Sequence, residues 1–221
     1  MGLEIIRLEH NSPEWLNYRR TGIGGSDAAA ILGLSPFKTN VEVWEEKVGL
    51  REPKDISDNP AVKYGKEAED IRRQLFALDY PELEVTADKT VVYRRGFMFA
   101  SLDGDLKKKD TGELGIYEGK TTELHRRADL MKWTGRVPDY YYVQLLHYFI
   151  TTERAFSILD AQIKLHVASE IEILVRRYPY YRKELFPDLR YLYTEEKDFW
   201  GYVERKERPP LKLPRFNRTE F

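Results

Sequence analysis

Residues 115–121 read Gly-Ile-Tyr-Glu-Gly-Lys-Thr, and Ser101-Leu102-Asp103-Gly104 stands just upstream. Asp103, Glu118 and Lys120 form an Asp…Glu-x-Lys set. Two carboxylates can hold a divalent metal, and a lysine two residues further along a strand can orient water or offset charge developing on a phosphate. Glu-x-Lys alone is common here, at Glu45/Lys47, Glu52/Lys54, Glu118/Lys120, Glu195/Lys197 and Glu204/Lys206. Glu118/Lys120 is set apart by the Gly-Ile-Tyr before it, which reads as strand, where residues i and i+2 project from one face. Asp103 ends the preceding strand, and a hairpin between them sets it opposite Glu118. Asp105 is its rival, since it shares that face if the strand continues past Gly104.

Three other groups have chemistry to offer. Glu69, in Gly65-Lys-Glu-Ala-Glu69, lies near the edge of a helical apolar face, from which it can reach a metal. Gln144 shares a helix face with His147 and Tyr148, as a core polar group or a site residue. Arg19 and Ser26 flank a glycine turn, where a guanidinium and a hydroxyl suit a phosphate. Arg20 is the alternative to Arg19. Gly115-x-x-x-Gly119-Lys120-Thr121 also approaches a phosphate-binding loop, but it is one residue short and carries a glutamate that would repel phosphate.

The elements that must position these residues follow from periodicity and punctuation. Ser12-Pro13 starts a helix that runs to about Arg20, and Gly22-Ile-Gly-Gly25 breaks it. Short helices follow over 28–32 and from Thr39 or Asn40 through Val48, closed by Gly33 and Gly49. Ala61, Gly65, Ala68, Ile71, Leu75 and Leu78 predict one face of a long helix over 58–78. Strands follow around Val85 and over 91–93, 97–102 and 115–117, with a charged hairpin tip at 107–112. A helix over 139–151, strands over 155–165 and 170–177, a helix over 191–203 and an extended tail over 208–218 complete the reading. Helices, strands and a crossing helix predict an α/β (α+β) fold with one central mixed β-sheet flanked by helices. The 221 residues are expected to form a single domain, with about 205–221 as a C-terminal tail.

Composition removes other classes of chemistry. The chain has no cysteine, which excludes disulfides, thiolate zinc sites and cysteine-held iron–sulfur clusters. The four histidines (His10, His125, His147 and His166) have no ligand spacing. No apolar run approaches the roughly 20 residues of a membrane helix, so a soluble, intracellular chain with no membrane role is expected. Net charge is −1, yet basic doublets or triplets recur at Arg19-Arg20, Arg72-Arg73, Arg94-Arg95, Lys107–109, Arg126-Arg127 and Arg176-Arg177. Several on one groove would suit a phosphate backbone.

These motifs together are similar to those of the YqaJ-like viral recombinase and phage lambda exonuclease family, within the PD-(D/E)xK nucleases. The resemblance covers nearly the whole chain. It runs through Trp15-x-x-x-Arg19, Gly22-Ile-Gly-Gly-Ser-Asp-Ala-Ala-Ala-Ile-Leu-Gly33, Gly65-x-x-x-Glu69, Ser101-Leu-Asp-Gly104, Glu118-Gly-Lys-Thr121, Val137-Pro-Asp-Tyr-Tyr-Tyr-Val-Gln144-Leu-Leu-His-Tyr148 and Phe199-Trp200-x-x-Val203.

The resemblance implies a restriction-endonuclease-like core. It implies Asp103, Glu118 and the Gly119 carbonyl as ligands of one or two Mg²⁺ ions, with Mn²⁺ as a substitute. Lys120 matches the lysine that orients the attacking water, Glu69 the helical glutamate, and Gln144 the glutamine that supports water or lysine. Arg19 and Ser26 match the pair that holds a DNA 5′-phosphate. The implied activity is 5′-to-3′ degradation of one strand of linear duplex DNA, leaving 3′ overhangs for a single-strand annealing protein. A homotrimer and the cytoplasm of a phage or prophage host come with the resemblance. Trp133 is a candidate to stack on unpaired bases. The rival readings are a structure-specific endonuclease on the same core and a non-catalytic DNA-end-binding module. Two features depart from the family pattern: three lysines in the hairpin at 107–112, and a Tyr- and Arg-rich region over 178–193.

Overall fold

The computed structural model describes residues 2–10, 12–167 and 170–213. A strand the sequence did not signal, β1 (Glu4–Arg7), comes first. Helix α1 (Pro13–Tyr18) starts where the Ser12 hydroxyl accepts from the Trp15 N–H at 3.1 Å, and a 3₁₀ turn (Arg19–Thr21) continues it. The glycine run forms β2 (Ile23–Gly24) and α2 (Gly25–Ile31). Thr39 and Glu42 make a reciprocal capping box on α3 (Asn40–Lys47). Asn59 caps α4 (Pro60–Asp79), with Pro60 in its first turn. Then come β3 (Leu83–Thr86), β4 (Val91–Arg95), β5 (Met98–Ala100), β6 (Gly104–Lys108) and β7 (Leu114–Leu124). A 3₁₀ segment (Arg127–Trp133) leads to α5 (Asp139–Thr152), β8 (Phe156–Val167), β9 (Glu170–Tyr181) and α6 (Phe186–Arg205).

The strands form two sheets rather than the one expected. The larger has the order β3-β6-β7-β8-β9, and the smaller β1-β4-β5-β2. In the larger sheet β7 and β8 are parallel and the other pairs antiparallel, so it is mixed. The parallel pair requires a crossover, and α5 supplies it. Ile116, Leu159, Ala161 and Ile163 on one face of this sheet pack with Val143, Leu145, Leu146 and Phe149 of α5. Tyr117, Leu106 and Ile158 on the other pack with Phe76 of α4. The central sheet is therefore covered by a helix on each side, as the sequence predicts.

Helix α4 buries a different face from the one expected. Ile71, Leu75 and Leu78 are exposed, whereas Arg72 and Phe76 are buried. The Arg72 guanidinium meets Asp160 of β8 at 2.5 Å, and Asp160 also receives Arg177 Nε at 3.2 Å and the Tyr117 hydroxyl at 3.2 Å. A buried carboxylate with several charged and polar donors is retained where an unpaired one would be expelled. This ion pair turns the helix so that the apolar stripe looks outward. Helix α6 begins five residues earlier than expected, because Pro187 sits in its first turn and Leu189 and Leu192 pack in the main core. Asn40 grips the start of the tail, donating to the Pro210 carbonyl at 2.8 Å and accepting from Lys212 N at 2.9 Å. The tail from residue 214 onward lies outside the described residues.

His147 joins α5, α6 and the smaller sheet. Its Nδ1 faces Glu196 at 2.8 Å and its Nε2 faces the Phe99 carbonyl at 2.9 Å, with both side chains fully buried. Both acceptors are satisfied at once when both nitrogens carry protons, as in an imidazolium. Burial works against that charge, but the Glu196 carboxylate and the Phe99 carbonyl outweigh it and raise the pKa above the usual histidine value. A raised folded value gives stability that is complete below the unfolded value of about 6.5 and is lost as pH rises through the folded one. In Glu196→Gln a neutral ring donates to Phe99 and accepts from the new amide. Urea unfolding from pH 6 to 9 should therefore show stability falling more steeply in the wild type than in Glu196→Gln. Equal slopes would show that the ring is neutral throughout.

Candidate active site

β6 stops pairing with β7 at Gly104↔Tyr117, while β7 runs on to Leu124 against β8. Beyond Tyr117 the other edge of β7 is open. Asp103, one residue before β6, covers the first step of that edge: its Oδ2 accepts the Gly119 N–H at 3.0 Å, in place of a strand partner. Glu118 and Lys120 project together from β7, as i and i+2 must. Lys120 Nζ lies 2.5 Å from Glu118 Oε1, and Gln144 Nε2 of α5 donates to the same oxygen at 2.9 Å. Gln144 Nε2 also donates to the Tyr148 hydroxyl, one turn on, at 2.7 Å. Glu118 is 1% exposed, and its Oε2 is buried without a hydrogen-bond partner.

A buried carboxylate with an orphan oxygen is electrostatically costly. Burial, then the neighbouring Asp103 charge, push the Glu118 carboxyl up to about 8, against the opposing pull of Lys120. Lys120 keeps its proton more firmly than usual: burial opposes the charge, but Glu118 and Asp103 outweigh it. Glu69 is also raised, by burial and then by Asp103. Glu118 and Glu69, both raised in part by the Asp103 charge, form with it a carboxylate cluster ready for a cation.

The cleft beside them has a volume of about 390 Å³. Arg19, Ser26, Lys66, Glu69, Asp103, Gln144 and Tyr148 are on its wall. Glu69 reaches it from α4 and is held by Lys89 at 3.4 Å and Arg73 at 3.7 Å, while Arg73 also donates to the Asp103 carbonyl at 3.0 Å. Arg19 Nη2 donates to Ser26 Oγ at 3.3 Å. Gly25 is required here by close approach: a Cβ on it would come within 2.4 Å of the Tyr148 ring. The Arg19/Ser26 turn can therefore lie directly against Tyr148, which is bonded to Gln144, the α5 residue that holds Glu118.

Both alternatives left open by periodicity separate in space. Asp105 is occupied by Arg154 at 2.6 Å and the Tyr93 hydroxyl at 2.8 Å, away from the cleft. Arg20 pairs with Glu52 at 2.6 Å. Trp133 is not available to stack on bases: it is 2% exposed and packs against Tyr141 and Tyr178. Nor do the basic doublets form one free groove. Arg72 and Arg177 hold Asp160, Arg94 holds Thr21, Arg126 holds Asp129, and Arg176 donates to the Trp133 carbonyl.

Sequence reasoning missed the support of the Arg19 turn. Asp27, fully buried, accepts from Lys38 Nζ and Lys47 Nζ, both at 2.7 Å, and from Gly24 N at 3.1 Å. Lys47 Nζ also donates to the Arg19 carbonyl at 2.7 Å. The histidines hold a further correction. Glu123, His125 and His166 place their ligand atoms within 4.8 Å of one another, a set that could hold a divalent metal. His125 and His166 come together only through the β7/β8 register, which linear spacing does not reveal.

A mixed sheet flanked by helices, with a carboxylate and a lysine side by side on a central strand, is a restriction-endonuclease-like core. Residues 14–155 match the YqaJ-like viral recombinase domain, and the chain belongs to that family. It is 36% identical over 141 residues to the uncharacterized protein YqaJ of Bacillus subtilis (strain 168), a match covering 63% of this chain and 42% of that protein. It is 35% identical over 79 residues to protein D345L of African swine fever virus (isolate Tick/Malawi/Lil 20-1/1983), covering 34% of this chain and 22% of the viral protein. The chain thus spans less than half the length of the curated relatives it matches. Among solved structures, its fold is similar to that of the alkaline exonuclease LHK-Exo from Laribacter hongkongensis, with TM-score 0.58, 18% identity, and coverage of 88% of this chain and 94% of the other. A phage-related exonuclease from Haemophilus somnus 129PT matches with TM-score 0.53, 13% identity, and coverage of 86% and 98%.

Proposed function

We propose that this chain is a Mg²⁺-dependent exodeoxyribonuclease that degrades one strand of linear duplex DNA from its 5′ end. The observation that carries the reading is the nearness of two groups: the Asp103/Glu118/Lys120 cluster, which reaches the cleft through Asp103 and through Gln144 bonded to Glu118, and the Arg19/Ser26 pair on the same cleft wall. One can cut a phosphodiester, and the other can hold a terminal phosphate beside the cut. The alkaline exonuclease and the phage-related exonuclease that share its fold accord with it.

The donor set fits the metal. Asp103, Glu118 and the Gly119 carbonyl offer only oxygen, which suits a hard cation such as Mg²⁺, with Mn²⁺ as a substitute. The orphan Glu118 Oε2 gives that cation a place to bind. When bound, one or two such ions supply charge neutralisation on the scissile phosphate and a more acidic water. The chain's own residues do the rest. Lys120, held by Glu118, orients the attacking water and offsets negative charge as it develops on the phosphate. Gln144 fixes the Glu118 carboxylate from α5 and is itself fixed by Tyr148. Glu69, held by Lys89 and Arg73, lines the α4 side and adds a further hydrogen-bond acceptor there. Arg19 and Ser26 bind the terminal 5′-phosphate, which gives the reaction its direction. The product is a 3′ overhang, the substrate of a single-strand annealing protein.

Arg19→Ala is expected to remove the preference for a 5′-phosphate over a 5′-hydroxyl end, costing roughly 10–100-fold in kcat/KM on phosphorylated ends and little on hydroxyl ends. Rates on matched duplexes differing only in the terminal phosphate measure this. An unchanged preference in the variant would remove Arg19 from the role. Covalently closed circular duplex is the complementary substrate: an enzyme that needs an end leaves it intact, and nicking or linearisation would favour the endonuclease reading.

A further inference from the structure

We propose that Glu123, His125 and His166 form a second metal site, separate from the Asp103/Glu118 cleft and selective for a borderline transition-metal ion such as Zn²⁺. The inference does not depend on the nuclease reading. It starts from register. β7 and β8 pair in parallel up to Leu124↔Leu165, so the next residues, His125 and His166, fall side by side. Their rings lie 4.5 Å apart between centroids, tilted by 32°. Glu123, two residues before His125, shares its face, and its Oε2 is 3.5 Å from His166 Nε2.

Three features favour a metal over a chance cluster. The three ligand atoms lie within 4.8 Å of one another on separate side chains. Ligands of a tetrahedral zinc at about 2.0–2.1 Å stand roughly 3.3 Å apart, so small side-chain rotations complete the set. His166 Nε2 is shielded from solvent yet makes no hydrogen bond, and a buried polar atom without a partner costs free energy that a cation beside it removes. The donors are two imidazoles and one carboxylate, a set that favours zinc, cobalt or nickel over magnesium.

Lys164 is the natural competitor. Its Nζ is 3.7 Å from Glu123 Oε1, but it is also held over the Tyr64 ring, 3.2 Å from the centroid. It approaches the other carboxylate oxygen from the one near His166, so a monodentate Glu123 can serve both.

The site is distinct from the cleft in position and in chemistry. Glu123 lies five residues beyond Glu118 on β7, about 16 Å along a strand at roughly 3.3 Å per residue. The odd offset also turns it to the opposite, α4-facing side of the sheet. A metal here would tie β7 to β8 beyond their last paired residues, acting on stability rather than on phosphate chemistry.

The test uses the full chain, stripped of metal with chelator and titrated with Zn²⁺ or Co²⁺ alone. Binding should produce a Co²⁺ visible absorption band of a nitrogen-ligated site. Zn²⁺ at about a hundredfold excess over Kd should raise Tm by roughly 5–10 °C. The double variant His125→Ala/His166→Ala should lose the band and weaken Zn²⁺ binding by more than roughly 100-fold, above the 10–100-fold cost of losing one outer-shell partner. Glu118→Gln should retain both the band and the Tm rise, and the histidine variant should keep its Mg²⁺-dependent hydrolysis. A band or Zn²⁺ affinity unchanged in the double variant, or a wild type that gives no band, would overturn the proposal. Lost hydrolysis in a folded double variant would overturn the claim that the site is separate from catalysis.

Discussion

Glu118→Gln is expected to lower Mg²⁺-dependent DNA hydrolysis by about 10²–10³-fold or more, on the scale of losing one charge-stabilising group, while leaving the fold intact. Glutamine keeps the shape of the side chain, and its carbonyl can still accept from Lys120 and Gln144. What disappears is the negative charge. The cation loses a ligand and Lys120 loses its counter-ion, now 2.5 Å away. Stability should not fall with activity, because a neutral amide costs less to bury than a carboxylate whose second oxygen has no partner. Single-turnover hydrolysis at saturating Mg²⁺, together with Tm, separates the two effects. A variant that cuts at nearly the wild-type rate would remove Glu118 from the chemistry. A variant that fails to fold would make it a structural residue.

The second large effect is on stability. Asp27→Ala should destabilise the fold by roughly 3–5 kcal/mol, the range for removing one partner of a buried ion pair. It leaves Lys47, with a side chain 3% exposed, facing an empty space, and frees the Gly24 N–H. For a chain of this size each kcal/mol shifts Tm by about 2–4 °C, so a fall of roughly 10 °C is expected. The pH profile carries the same signature. Burial opposes the Asp27 charge, but Lys38 and Lys47 outweigh it and hold the carboxyl well below its usual range. A depressed folded value gives stability that is present above the unfolded value of about 3.9 and is lost as pH falls through the folded one. Acid unfolding should thus begin at higher pH in the variant. Because Lys47 also holds the Arg19 carbonyl, discrimination of 5′-phosphate ends should weaken in any folded fraction. A loss below about 1 kcal/mol, typical of an exposed pair, would show that the network is solvated.

What could be read in advance was local. The Glu118/Lys120 pair was legible because alternation on a strand needs only neighbouring residues. The helix starts at Ser12 and at Thr39 or Asn40 were legible for the same reason. What alternation could not supply was partners distant in sequence. Asp103 differs from Asp105 because β6 begins at Gly104 and leaves Asp103 beside the open edge of β7, while Asp105 is taken by Arg154, 49 residues away. The buried face of α4 was misread because Arg72 reaches Asp160, 88 residues on, and that ion pair overrides the apolar stripe. The histidine pair at 125 and 166 was invisible for a similar reason: a parallel register joins two strands through a crossover helix. Trp133, a candidate to stack on unpaired bases, is instead enclosed by Tyr141 and Tyr178.

The central claim is a metal-dependent cut that begins at a 5′ end. Digestion of a linear duplex, labelled on one strand at either its 5′ or its 3′ terminus and carrying 5′-phosphates, tests it most directly. With Mg²⁺ present, the 5′ label should appear at once in mononucleotides, while the 3′ label stays on a long strand until that strand is consumed. Chelation of Mg²⁺ should stop both. Early release of the 3′ label as mononucleotide, or release that persists without a divalent metal, would contradict the account.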